Sequence, residues 1–250
     1  MEYIQVTDEN IEKEHICCAI SNNKDIQVCS KKSWLLQRFS EGLVFYKSVE
    51  RGKCFIEYIP AENAWIPIDA KGYMYIDCLW VSGSLKGHGY ANDLLDFAQS
   101  DAKAKGKIGM CILSSAKKRG FLADPKFLKK KGFSVCDESD SGIQLWYLPF
   151  EKEAEKPRFK ACAKNPHTDM DGYVLYYTNQ CPFTAKYVPV IENIAKEHEL
   201  TFHAVHLESK EDAQNAPTPT TTYSLFYNGR YLTNEILSDK KFLKIIQEEK

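Results

Sequence analysis

The sequence predicts an α/β chain built as two successive units, a larger one over residues 1–150 and a smaller one over 172–250. Three observations carry this. Strand-like runs rich in aromatic and β-branched residues alternate with stretches of helical apolar spacing. Residues 151–171, EKEAEKPRFKACAKNPHTDMD, interrupt that alternation with charge, two prolines and no apolar period, as a linker between separately packed units does. Beyond it the pattern restarts in a shorter order, β-α-β-α-β-β-α. At 250 residues the chain is long enough for two cores.

In the larger unit a helix is expected over 9–20 and another over 30–41, with Ser30 as its N-cap. Strands are expected over 43–49 and 54–59, then over 72–81, the run with the most aromatic and branched residues. A short glycine-bearing loop leads into a helix over 90–105, where Leu94, Leu95, Ala98 and Ala102 fall on one side and Gly106 ends the run. A strand over 107–113, a short helix from Asp124 or Pro125 to Gly132, and closing strands over 133–136 and 143–147 complete the unit. In the smaller unit, strands are expected over 172–178, 201–207, 220–227 and 230–232, the last two joined at Asn228-Gly229, a strong hairpin signal. Helices are expected over 182–199, briefly over 211–215, and from Asp239 onward.

Composition narrows the function. A formal net charge of −1 offers no electrostatic footprint for nucleic acid. No apolar run approaches the ~18 residues of a membrane span, and the first residues lack the basic-then-apolar order of a secretory signal. Nine cysteines, an odd number with no CxxC pair, read as free thiols of a reducing cytoplasm and not as a disulfide framework or a metal site.

The chemically informative stretch is the loop Val81-Ser82-Gly83-Ser84-Leu85-Lys86-Gly87-His88-Gly89-Tyr90-Ala91 between a strand and a helix. Successive N–H groups at a helix start form an anion site, glycines let a phosphate approach the backbone, and Lys86 adds a charge. Spacing alone leaves phosphate binding and an ordinary turn equally open. The loop is not a Walker sequence, and Asn92 occupies the third glycine position of the dinucleotide fingerprint.

This loop, with Leu94 and Leu95 after it, resembles motif A of the GNAT acetyltransferases, Q/R-x-x-G-x-G/A, and the run from Phe127 to Phe133 resembles that family's late helix ending in Gly-Phe. The resemblance implies a mixed α/β sheet, flanked by helices, that splays between the strands at 73–81 and 107–113. Acetyl-CoA would lie with its pantetheine arm against Leu79 and Val81 and its pyrophosphate on N–H groups of Lys86, Gly87, His88, Gly89, Tyr90 and Ala91. A primary amine of a small molecule, peptide or protein would attack the thioester directly, which calls for a base and for oxyanion donors. Two positions depart from the family pattern. Ser84 stands where Gln or Arg is usual, and Leu128 stands where many members carry a tyrosine that protonates the leaving thiolate.

For the base, period-two alternation places Tyr73, Tyr75, Asp77, Leu79 and Val81 on one face of the central strand. Asp77 is then the first candidate, followed by Tyr75 and by Glu57 on the strand before it, against the alternative that Asp77 is an ordinary hydrogen-bonded strand residue. No metal ligand set is expected.

In the smaller unit, the turn Asn179-Gln180-Cys181-Pro182-Phe183-Thr184 resembles the active-site turn of thioredoxin and glutaredoxin folds, and the run 216–229 their proline strand, with Pro219, or else Pro217, as the cis proline. A cysteine at a helix start is expected to have a lowered pKa. Thr184 replaces the second cysteine, so a single-thiol redox role for Cys181 or a plain docking module are the readings left. The whole arrangement resembles the YoaP-type acetyltransferases of bacteria. Beside the enzyme, two alternatives stand: a monothiol redox or sensor protein acting through Cys181, and a non-catalytic acyl-CoA sensor. Exposed strand edges in this fold class allow a homodimer.

Overall fold

Seven strands form the larger sheet. The structure, a computed structural model, describes residues 1–16 and 22–249. In chain order the first half contains β1 (Tyr3–Val6), α1 (Ile26–Phe39), β2 (Val44–Ser48), β3 (Cys54–Pro60), β4 (Ile68–Asp69), β5 (Tyr73–Val81), α2 (Tyr90–Ala104), β6 (Gly109–Ser115), α3 (Pro125–Lys130), β7 (Ser134–Glu138) and β8 (Ile143–Pro149). The sheet order is β1-β2-β3-β5-β6-β8-β7. Only β5 and β6 run parallel, joined by the crossover through α2, so the sheet is mixed as expected.

Each face carries its own helix. Leu94, Leu95, Ala98 and Ala102 of α2 are fully buried against Ile56, Tyr58, Met74, Ile76 and Ile112. Burial of each leucine contributes ~1.5–3 kcal/mol. On the opposite face α1 lays Val28 and Leu35 against Phe45, Phe55 and Tyr75. This helix starts at Ile26, four residues before the expected position, because Asp25 caps it by accepting the N–H of Gln27 at 2.8 Å. Ser30 lies inside the helix. The expected helix over 9–20 is not found where it can be followed: residues 7–14 form turns closed by Ile11 N–H to Thr7 O and Glu14 N–H to Asn10 O. Residues 17–20 of that expectation lie outside the described residues. β1, too short to carry a period, was not foreseen.

The segment read as a linker holds short elements of its own, β9 (Arg158–Phe159), which pairs antiparallel with β4, and α4 (Ala161–Lys164). Phe159 and Ala163 are buried in the α1-side core. The second half follows as β10 (Tyr173–Tyr177), α5 (Pro182–Glu197), β11 (Phe202–His206), α6 (Lys210–Gln214), β12 (Tyr223–Tyr227), β13 (Arg230–Thr233) and α7 (Asp239–Glu248). Its sheet order is β11-β10-β12-β13, parallel between β10 and β11 and antiparallel elsewhere. The second half packs on the α1 face: Leu207, Ala213 and Ala216 join the core that contains Trp34, Phe55 and Trp65. No described helix is long and apolar enough to cross a membrane.

Candidate active site

β5 pairs with β6 only from Tyr73 to Ile76, opposite Gly109 to Ile112. Beyond that point β5 stays with β3 and β6 stays with β8, so the two parallel strands part and leave a gap in the sheet. β5 is buried as far as Ile76 and only partly covered from Asp77 to Val81, where its β6 neighbour is missing. The position is fixed by a β-bulge: Glu57 pairs with Cys78 but Tyr58 pairs with Ile76, which makes Asp77 the extra residue.

That bulge corrects the expected alternation. Tyr73 and Tyr75 share the α1-side core with Cys78 and Trp80, whereas Leu79 and Val81 pack on the α2 side with Met74 and Ile76. Strict period two holds only in an unbulged strand, so Tyr75 does not share a face with Leu79 and Val81.

The glycine loop lies at the open end of this gap. Gly89 adopts φ +85° and caps α2, a conformation that costs a residue with a side chain ~1–2 kcal/mol. Gly87 has the same φ, and a Cβ added there would meet nothing within 4 Å, so the surface of the loop is clear for a ligand. The N–H of Lys86 is bonded to Gly83 O at 3.3 Å, which starts the run of available donors at Gly87 and not at Lys86 as expected. His88 stacks on Tyr90 with ring centres 5.5 Å apart. The N–H groups of a first helical turn have no intrahelical acceptor, and the positive end of the α2 dipole faces the same way.

A cavity of about 400 Å³ opens at the gap, lined by Ile76, Leu79 and Ile112 as well as by Glu57, Tyr75 and Asp77. All three residues expected to be catalytic therefore meet in one place, as does Cys181, with Gln180, Phe183 and residues 220–223 of the second half forming the far wall. Leu128 is buried in the α2-side core and contributes nothing to the cavity.

The electrostatics of this cavity differ from those expected. Lys31 donates to Glu57 Oε2 at 2.5 Å and to the backbone oxygen of Gln180 at 2.7 Å, and both charged side chains of the pair are about 1% exposed. Glu57 Oε1, also buried, has no hydrogen-bond partner among the described residues, and neither has Trp65 Nε1 in the same wall. Burial, and then the adjacent Glu57, hold the Asp77 carboxyl well above the usual carboxylate range, with Lys31 and Arg38 opposing. Burial likewise raises the Tyr75 phenol. Both groups are biased toward their protonated forms.

Cys181 is the N-cap of α5, yet burial pushes its thiol up to about 11, against the Phe183 N–H and Lys31 that pull it down. Desolvation outweighs the helix end, so the lowered pKa expected from sequence is not found. Thr184, in place of the second cysteine, donates to Thr178 O at 3.0 Å and to Cys181 O at 2.7 Å and closes the turn. No peptide bond among the described residues is cis, so neither Pro219 nor Pro217 takes the expected form.

Sequence reasoning did not find Lys31, Gln180 or Phe121. Lys31 had a signal, since it falls on the buried stripe of α1 between Val28 and Leu35. Gln180 donates from Nε2 to Asp77 O at 3.3 Å and accepts from Thr222 Oγ1 at 2.8 Å, tying β5 to the second half.

The chain resembles known proteins along nearly its whole length. A family model described as YoaP-like matches residues 201–244. The Bacillus subtilis (strain 168) protein YoaP, described as an uncharacterized N-acetyltransferase, is 43% identical over 247 residues, covering 98% of both chains. Among solved structures, the PaiA N-acetyltransferase of Thermoplasma acidophilum with coenzyme A aligns at 18% identity and TM-score 0.37, over 48% of this chain and 71% of that one. A GNAT family acetyltransferase of Brucella melitensis in complex with acetyl-CoA aligns at 14% identity and TM-score 0.38, over 64% and 96%. On the 43% identity across almost the full length of both proteins, the chain belongs to the YoaP family of N-acetyltransferases.

Proposed function

We propose that this chain is a GNAT-type enzyme that takes the acetyl group of acetyl-CoA and transfers it to a primary amine by direct attack. The observation that carries the reading is the parting of β5 and β6 after Ile76, beside the clear-surfaced loop at the start of α2 and above a cavity with a buried, half-unpaired carboxylate. Gly87 to Ala91 would hold the pyrophosphate on backbone N–H groups, and the unpaired edge of β5 near Leu79 and Val81 would meet the pantetheine amides. Glu57, through Oε1, accepts the proton that the amine loses as its nitrogen bonds to the acetyl carbon and the carbon–sulfur bond breaks. Asp77 and Tyr75, both biased toward the protonated form, serve as donors for the carbonyl oxygen and the departing sulfur, roles that Leu128 cannot fill. Asp77, the first base candidate on sequence grounds, becomes a donor in this assignment, and Glu57 becomes the base.

We also read residues 172–250 as a thioredoxin-like unit following the acetyltransferase unit of 1–150. The sheet order and the helix capped by Cys181 support that reading. The raised Cys181 thiol argues against thiol chemistry as the principal activity.

Calorimetry with acetyl-CoA tests the cofactor assignment. Gly87→Glu places a carboxylate against the pyrophosphate and abolishes binding, while Gly87→Ala reports the backbone strain alone and weakens binding about tenfold or less. Equal affinity of Gly87→Glu and wild type would remove the cofactor from this loop.

A further inference from the structure

The acceptor side of the cavity has a chemistry of its own. Its polar end is the Glu57 carboxylate, 1% exposed, with one oxygen on Lys31 and the other without a partner. A desolvated carboxylate oxygen with a free valence attracts a donor, above all a cationic one. Aromatic rings line it from both halves. Trp80 and Phe121 come from the first half and Phe183 and Tyr223 from the second, with Trp80 and Phe183 edge to face at 6.5 Å between ring centres.

Phe121 is the unusual member. Its backbone is held at φ +61°, a region that bulky side chains avoid, and the residue is 50% exposed although it lines the cavity. Folding alone favours neither feature, and strain of this kind gathers at ligand sites. The second half secures the loop that carries it, since Asn234 Nδ2 donates to Gly120 O at 3.1 Å. The cavity, about 400 Å³, lies toward the small end of the ~300–1,000 Å³ of small-molecule pockets.

We propose, resting on the acetyl-transfer reading above, that the acceptor is a small primary amine with an apolar, aromatic body, seated between the two halves of the chain. Its nitrogen meets Glu57 Oε1. Its body lies against Phe121 of the first half and Phe183 of the second, which makes the second half the specificity wall of the enzyme. A lysine presented on a folded protein has no such body and must reach in past both walls. Ethanolamine, lacking the body, forgoes the apolar contact altogether.

The test compares 2-phenylethylamine, ethanolamine and an N-terminally blocked lysine peptide as acceptors for the full-length protein with acetyl-CoA, after calorimetry on the same preparation. The expected result is a kcat/KM for 2-phenylethylamine at least tenfold above either other amine. Phe121→Gly supplies the second arm, because glycine accepts the backbone conformation and the variant folds with a Tm no lower than wild type. It raises KM for 2-phenylethylamine about tenfold with little change in kcat and leaves KM for ethanolamine unaltered. Acetyl-CoA binding accompanied by preference for the lysine peptide or ethanolamine, by no turnover of any of the three amines, or by an unmoved KM in Phe121→Gly, overturns the acceptor class alone. Absence of acetyl-CoA binding overturns the acetyl-transfer reading and this proposal with it.

Discussion

At the scale of single residues, three side chains around the β5 bulge divide the work by environment. Lys31 and Glu57 form a buried pair, and removing one partner from such a pair is far costlier than the pair is stabilising. Lys31→Met therefore destabilises the protein by about 3–5 kcal/mol in urea unfolding. Glu57→Gln keeps the shape and a donor-acceptor pair with Lys31, and it lowers kcat by about 10²–10⁴ with acetyl-CoA affinity unchanged if Glu57 is the base. Asp77 titrates in the opposite sense to most carboxylates. Because its folded-state pKa is raised above the unfolded value of about 3.9, the folded state holds a proton that the unfolded state has lost. Its contribution to stability accordingly falls as pH rises from that unfolded value toward the folded one. Asp77→Asn, which stays neutral, gains on wild type over that window by up to about 1.4 kcal/mol per pH unit, and melts of both proteins at pH 5 and pH 7 measure the widening gap. A gap that is constant with pH would place Asp77 ionised in the folded state.

At the scale of elements, the helices owe their positions to capping and stripe chemistry in different proportions. α2 was legible almost to the residue because Gly89, the Leu94-Leu95-Ala98-Ala102 stripe and Gly106 all agree. α1 was misplaced because its N-cap is Asp25 and not Ser30, a choice between two good capping residues that local sequence does not arbitrate. Asp25→Ala costs about 1 kcal/mol, visible as a lower midpoint in urea. The strand that carries the site is the clearest case of tertiary override. Its residue types announced a strand over 72–81, and the single bulge at Asp77 reversed which side chains share a face beyond it.

At the scale of the whole molecule, the two halves meet through buried polar links as well as apolar ones. Lys31 and Asp77 bind Gln180 from opposite elements, Thr221 Oγ1 donates to Trp65 O, and Lys210 Nζ donates to Asn63 Oδ1 at 2.9 Å. Leu207 and Ala216 lie in a core built chiefly by the first half. With a core shared in this way, calorimetric unfolding of the full chain gives one transition, with van't Hoff and calorimetric enthalpies in agreement. Two resolved transitions would show instead that each half carries its own stability.

The sequence by itself determined most of the longer strands and helices, the glycine loop before α2 and the presence of Glu57, Tyr75, Asp77 and Cys181 as chemistry-bearing residues, because periodicity, caps and turn chemistry act over a few neighbouring positions. It also carried the family resemblance, since motif A and the Cys181 turn are contiguous. Only the tertiary structure decided the upward shift of the Asp77 carboxyl, the raised thiol of Cys181, the orphan oxygen of Glu57 and the wall that residues 180–183 and 220–223 build against β5. Those properties depend on desolvation and on polar groups brought together from distant positions, as Lys31 and the backbone oxygen of Gln180 are, and no local pattern encodes that distance.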